Sequence, residues 1–360
     1  QQLREVVSSE LTEVAEKFAT PRRTVLLESG GAQLTAAVPL EVADDPCVVL
    51  LSSAGLLARA TITNSARPEA DAAGQHGASQ RSAHDVIVSA VPTTARGTIG
   101  VVTSAGRLIK MGVLELPALP PSAHSPGLAG GAPLSEFVAL PAGESVIGLA
   151  SIETAGAGLA LGTASGVVKR VTPDYPQTQS EFDVIALRDD DRVVGAVQLS
   201  SEDQDLVFIT SDAQLLRFGA DNVRPQGRSA GGMAGIRLSR GASAIWFGAV
   251  TPADGDDDGA PVVVTVAGTT GALPGTAAGT VKVTPYVEYP PKGRATGGVR
   301  CQRFLRGEDT LVLAWAGHSP ALGATEAGTP VELPEVDERR DGSGTHVAQP
   351  LAAVGGTAAL

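Results

Sequence analysis

One short pattern recurs along this chain and limits its fold more than any other feature: an apolar run, a tight turn of small residues, and a second apolar run carrying a base. Its clearest copy is Asp205–Phe218, DLVFITSDAQLLRF. Leu206–Ile209 has the length and β-branched content of a strand. Thr210-Ser211-Asp212-Ala213 forms the turn, and Gln214–Phe218 is a second strand bearing Arg217. The pattern returns as CVVLLSSAGLLARAT (Cys47–Thr61), TIGVVTSAGRLIKM (Thr98–Met111) and GLALGTASGVVKRV (Gly158–Val171). Two looser copies carry long insertions in the turn: Pro261–Gly268 leading to Gly279–Val283, and Thr310–Gly317 leading to Gly328–Leu333. Six hairpins at intervals of about fifty to sixty residues specify an all-β repeat architecture. Each unit buries a sheet face against its neighbour, and closing the array into a ring removes most exposed edges. The degenerate fifth and sixth copies leave open whether the ring closes.

A chain of 360 residues, 43% hydrophobic, can bury a large core, but with 3% aromatics the packing rests on Val, Leu, Ile and Ala. Ahead of the repeats, Leu3, Val7, Leu11, Val14 and Phe18 fall on one helical face, predicting a helix that ends near Thr20-Pro21. It reads as the end of a preceding domain, or else as a cap on the array. The expected organisation is residues 1–24 as the end of a joining helix, 25–334 as the β array, and 335–360 as an acidic, frayed tail. Residues 30–45 are expected to add strands to the first copy, and 117–133 to form a loose connector. No apolar run approaches twenty residues and no signal peptide opens the chain, so a cytoplasmic protein with no membrane partner is expected. Cys47 and Cys301 lack any CxxC spacing and are expected to pack as small hydrophobes.

No catalytic or metal-binding constellation emerges. The five histidines are scattered, and Gly227–Gly232 has neither the spacing nor the lysine of a P-loop. The acidic runs at Asp189–Asp191 and Asp254–Asp258 lack the ligand spacing of a calcium loop and read as solvated turns. What repeats is positive charge. Four residues beyond the small residue that closes each turn stand Arg59, Lys110, Arg170 and Arg217, and Lys282 lies three beyond in the fifth copy. Arg96, Arg107 and Lys169 add to this column, while the sixth copy has Glu332 in the same place. Arg–Gly loops containing Arg224, Arg228, Lys292 and Arg294 extend it, with Arg300, Arg303 and Arg306 downstream. The net charge of −12 therefore conceals a basic belt, on which glycines admit phosphates to backbone N–H groups and Lys and Arg replace counterions. The competing reading is that these bases merely solvate exposed strands.

The repeat, with its downstream QGRSAGGMAGIRL, resembles the C-terminal domain of the A subunits of bacterial type IIA topoisomerases, DNA gyrase and topoisomerase IV. The stretch SSELTEVAEKFATPRRTVLL likewise resembles the junction joining that domain to the breakage–reunion core. The resemblance implies a six-bladed β-pinwheel whose blades exchange strands, with duplex DNA running along a basic outer rim. It implies two protein partners: a core domain on the same polypeptide, and the ATPase B subunit. No cofactor is expected in this chain; ATP and magnesium belong to the full enzyme. The family's catalytic tyrosine lies in the core, and Tyr175, Tyr286 and Tyr289 match no such motif, so no DNA cleavage is expected of this chain. Gyrase carries a basic Gln-Arg-Arg-Gly-Gly-Lys-Gly box in its first blade, whereas Gln75–Arg81 here reads QHGASQR. That departure favours a relaxing and decatenating topoisomerase IV over a gyrase wrapping domain. A propeller serving as a protein-interaction scaffold is the remaining alternative.

Overall fold

Four of the hairpins turn in the same way, and the turn accounts for the repeat. A computed structural model describes residues 2–18, 43–61, 81–120, 127–154, 156–253, 259–271 and 279–357. In it, the carbonyls of Ser52, Thr103, Thr163 and Thr210 accept the N–H groups of Gly55, Gly106, Gly166 and Ala213 at 2.9–3.0 Å. The hydroxyl oxygen of the same Ser or Thr accepts the N–H one residue further on, at Leu56, Arg107, Val167 or Gln214. The fourth turn residue is left-handed, with φ of 75°, 76°, 82° and 57° in turn. Glycine suits that conformation, and two of these positions require it on space as well. A Cβ on Gly106 would lie 2.6 Å from Ile185, and one on Gly166 would lie 2.7 Å from the Ile236 carbonyl.

The hairpins build six blades, numbered in chain order and described from the hub outward. Blade 1 holds β3 (Ile87–Thr94), β1 (Pro46–Ser52), β2 (Leu56–Thr61) and β6 (Ala132–Pro133). Blade 2 holds β7 (Val146–Ser151), β4 (Thr98–Thr103), β5 (Arg107–Gly112) and β10 (Glu181–Asp183). Blade 3 holds β11 (Val193–Gln198), β8 (Leu159–Thr163) and β9 (Val167–Val171), the last pairing with both β14 (Pro225–Gln226) and β15 (Met233–Ala234). Blade 4 holds β16 (Ala244–Val250), β12 (Asp205–Thr210), β13 (Gln214–Gly219) and β19 (Val299–Arg300). Blade 5 holds β20 (Thr310–His318), β17 (Pro261–Gly268), β18 (Thr280–Pro285) and β23 (Thr345–His346). Blade 6 has three strands, β24 (Ala353–Gly355), β21 (Leu322–Ala324) and β22 (Pro330–Val331). The fold is thus all-β and propeller-like, with one short helix, α1 (Gln2–Phe18), belonging to a separate unit at residues 1–41.

Strand exchange is explicit in this order. The outermost strand of each of blades 1 to 5 comes from the chain that follows the next blade's hairpin: β6 follows β5, β10 follows β9, and β19 follows β18. The largest apolar clusters lie between blades, as where Val49, Leu51 and Leu57 meet Ile99, Val101 and Leu149. The seam between blades 6 and 1 is thin, with Val86, Leu322 and Ala324 buried and Ala353 partly so. Polar bonds close it. Arg81 forks onto Asp85 and donates to the carbonyls of Val331 and Gly323, all at 2.9–3.0 Å. The N–H of Ile87 reaches the Gly356 carbonyl at 3.2 Å, and the two residues form an antiparallel bridge. The ring is closed.

Three expectations change. Thr310–His318 pairs along its length with β17 and is the hub strand of blade 5; the sixth hairpin begins at Leu322. Residues 335–357 are not a frayed tail, because β23 and β24 complete blades 5 and 6. The stretch 117–133 is more than a connector: Leu119 and Leu128 are buried and Ala132–Pro133 pairs with β2. The strands expected at 30–45 fall almost wholly outside the described residues, as do the acidic turn at 254–258 and most of the loop 61–84. Among the described residues no helix is long and apolar enough to cross a membrane.

Candidate nucleic-acid interface

Register divides the basic column in two. Arg59, Lys110, Arg170 and Arg217 pair with Val49, Gly100, Ala160 and Val207, the same place in blades 1 to 4. Lys169 and Lys282 pair with Leu161 and Thr265, one position nearer the turn. Side chains alternate across a sheet, so the two sets face opposite ways.

Most of these bases hold blades together. Lys169 is 0% exposed and Lys282 is 2% exposed, and burial pushes both ammonium groups down to about pKa 8. Lys169 Nζ donates to the carbonyls of Val184, Arg228 and Ala230; Lys282 Nζ donates to Thr284 Oγ1 and to the carbonyls of Cys301 and Arg340. Arg170, also buried, donates to the carbonyls of Ala220, Val223 and Ala157 and pairs with Glu202 at 2.6 Å. Arg217 pairs with Asp205 at 3.2 Å and lies over the Tyr286 ring, 4.5 Å from its centroid. Arg59 Nη1 reaches the Ala95 carbonyl, and Lys110 Nζ reaches those of Pro176 and Gln177. Arg107 is clamped by Glu144 and Glu181, which raise its pKa while its charge holds Glu144 below the usual carboxylate range. Arg96 is exposed, and its N–H donates to Asp44. The belt expected on these strands is therefore not a continuous surface: with Lys169, Arg170 and Lys282 buried, most of its charge points inward or is answered.

The outer segments behave differently. The stretch 220–240, which supplies blade 3 with β14 and β15, has four bases (Arg224, Arg228, Arg237 and Arg240) and one acid, Asp221. The stretch 286–306, which supplies β19 to blade 4, has five (Lys292, Arg294, Arg300, Arg303 and Arg306) and one acid, Glu288. Together that is nine bases against two acids, in a chain with 27 bases against 39 acids. The outer segments of blades 1 and 2, residues 112–136 and 172–187, hold no base, and that of blade 5, residues 334–346, holds four acids and two arginines. The two basic stretches touch. Arg237 N donates to the Thr296 carbonyl at 2.9 Å, Ala295 N to that of Gly235, and Arg294 Nη1 to that of Ala234.

Arg224, Arg237, Arg240, Arg300, Arg303 and Arg306 are exposed, and among the described residues their guanidinium groups have no hydrogen-bond or ion-pair partner. Lys292 is exposed and donates to the Gly298 carbonyl. Arg228 is half-buried, lying 5.2 Å over the Phe182 ring of β10, next to a cleft of about 660 Å³. Asp174 and Asp183 also line that cleft, so its charge is mixed. The hairpin register passes over Arg237 and Arg240, because the signal for them is loop composition rather than strand position. What remains is a cationic arc on two adjoining blades, with exposed arginines facing solvent, suited to a polyanion's backbone.

A family model described as the DNA gyrase C-terminal domain, beta-propeller, matches residues 204–250 and 275–314, which include all four strands of blade 4, β14 and β15 of blade 3, and β18 with part of β20 in blade 5. The DNA gyrase A protein of Staphylococcus epidermidis is 25% identical over 347 residues, covering 94% of this chain and 36% of the relative. Those of Mycobacterium leprae and Salmonella typhimurium are each 28% identical, over 86% and 82% of this chain and 23% and 31% of theirs. The chain thus spans about a third, or less, of the length of these relatives. In fold it is similar to the C-terminal domain of DNA topoisomerase IV, with TM-score 0.61 and 18% identity over 87% of this chain and 93% of that one. It is also similar to the DNA gyrase A C-terminal domain, with TM-score 0.55 and 17% identity over 87% and 100%. Sequence and fold together set the chain beside the C-terminal domains of type IIA topoisomerase A subunits, without separating gyrase from topoisomerase IV.

Proposed function

We infer that this chain is the C-terminal propeller domain of the A subunit in a type IIA topoisomerase, and that it binds duplex DNA through phosphates along the outer arc of blades 3 and 4. The observation that carries the reading is nine bases against two acids on those two outer segments. Exposed arginines on loops neutralise phosphates without reading base edges, which calls for a helix or ribbon seated in a groove. Binding is therefore indifferent to sequence and steeply dependent on salt. A fluorescence titration with two unrelated duplexes tests this. Equal affinities that fall together with added salt are expected; a preference for one duplex that survives salt would defeat the reading.

In the parent enzyme the domain works beside the core of its own polypeptide and the ATPase B subunit, steering a DNA segment toward strand passage. We read that enzyme as one that relaxes and decatenates. Bending even 20–30 bp by 40–90° costs about 1–6 kcal/mol, and a fuller wrap costs more. An arc of two blades supplies few phosphate contacts to offset that, and the one arginine of the segment QHGASQR, Arg81, is committed to Asp85 and blade 6. The full A subunit with its B subunit, given relaxed plasmid and ATP, should decatenate without accumulating negative supercoils. Robust supercoiling would assign the chain to gyrase, as the names of the curated relatives favour.

A further inference from the structure

We propose that Lys169 is a positioning residue for the rim loop Gly227–Gly232, holding its backbone at the height from which Arg228 meets a phosphate. The proposal rests on the reading of blades 3 and 4 as the DNA surface. Lys169 is buried with an ammonium group that has three donors, and all three are spent on carbonyls: Val184 and Arg228 at 2.8 Å and Ala230 at 2.7 Å. Val184 is the first residue after β10, the outer strand of blade 2, whereas Arg228 and Ala230 lie between β14 and β15 on blade 3. One side chain thus ties the rims of two neighbouring blades together beneath the loop.

The same device occurs once more. Lys282 occupies the same register in blade 5, joining the Cys301 carbonyl just after β19 to the Arg340 carbonyl just before β23. In blade 4 that register position holds Leu216, paired with Phe208 and buried. The fold therefore accepts an apolar residue there, and a buried lysine is a costly substitute. What the lysine adds is the anchorage of rim carbonyls, and in blade 3 one of them belongs to Arg228. The Arg228 guanidinium is steadied by the Phe182 ring, 5.2 Å from its centroid. Backbone and side chain are thus each held by a contact of their own, leaving the arginine few directions in which to point.

The two struts supply their own control. The loop over Lys169 carries Arg228 in a basic segment; the loop over Lys282 carries Arg340 among Asp337, Glu338 and Asp341. Duplex affinity and its salt slope are measured for the full chain and for Lys169→Leu, Lys282→Leu, Arg228→Ala and the Lys169→Leu/Arg228→Ala double variant. Arg228→Ala should flatten the log–log slope by about 0.9, one phosphate contact. Lys169→Leu should lose most of the same increment, the double variant no more than Arg228→Ala alone, and Lys282→Leu nothing. An unchanged slope in Lys169→Leu, additive losses in the double variant, or an equal loss in Lys282→Leu overturns the positioning role. So does failure of Lys169→Leu to fold, which would make the lysine a plain core residue. An unchanged slope in Arg228→Ala instead defeats the reading of this loop as a DNA contact, on which the proposal stands.

Discussion

The outer segments of blades 3 and 5 are one piece of architecture carrying opposite charge. Each follows the next blade's hairpin, pairs back across a second hairpin strand, and rests a loop carbonyl on a buried lysine, Lys169 or Lys282. Yet 220–240 holds four bases and one acid, and 334–346 holds two bases and four acids. The comparison teaches that scaffold and function are written in different residues of the same unit. Bases on the hairpin strands hold blades together whatever the rim carries, while bases on the returning chain decide what the rim meets.

The largest expected effect concerns the scaffold. Arg170→Met removes the donor to the carbonyls of Val223 and Ala157, at about 1–3 kcal/mol for each left without another partner, while the Ala220 carbonyl keeps the Val223 N–H. Arg224→Ala, on the exposed loop of the same blade, should change stability by no more than about 0.5 kcal/mol. Denaturant unfolding of the two variants checks this. A loss in Arg224→Ala as large as in Arg170→Met would break the division between strut and rim.

A smaller effect tests whether blades 3 and 5 share their struts. Lys169 and Lys282 have folded pKa values of about 8, lowered by burial from 10.5. Between those values the unfolded chain binds more protons, so folded stability rises with pH, by up to about 1.4 kcal/mol per lysine per pH unit. Burial pushes Cys301 and Tyr175 up to about 12 and Tyr286 and Tyr289 higher still. The unfolded chain loses those protons first, so stability turns downward at higher pH, beginning above about 9 to 10. Unfolding midpoints should therefore rise from about pH 8 to 9 and fall beyond about 10, and Lys169→Leu or Lys282→Leu should each remove about half of the rise. A flat profile in either variant alone would show the struts to be unequal.

The hairpins were legible in the sequence because their turn is local: a Ser or Thr, two residues, then a left-handed small residue, all within one hydrogen-bonded loop. The exchanged outer strands were not. Ala132–Pro133 and Pro225–Gln226 are two residues long, too short to show any period, and their partners lie in another unit. Thr310–His318 read as a hairpin strand because TLVLAWAG, like PVVVTVAG, is an apolar run closing on Ala-Gly, although it is a hub strand pairing with that very segment. Lys169 and Arg170 looked like surface charge for a related reason. Strand alternation tells which face a side chain takes, not whether a neighbouring blade covers that face.

The central claim is that DNA contact is confined to the arc of blades 3 and 4. The direct measurement is the slope of log affinity against log salt for duplex binding by two variants of the full chain. One carries Ala at Arg224, Arg237, Lys292 and Arg300 within the arc; the other carries Ala at Arg188, Arg192 and Arg339, exposed bases outside it. At about 0.9 per phosphate contact, the arc variant should flatten the slope by about 3 to 4. The second variant should leave it within about 1 of the unmodified chain. Equal flattening in both would spread the contacts around the whole ring and contradict the arc.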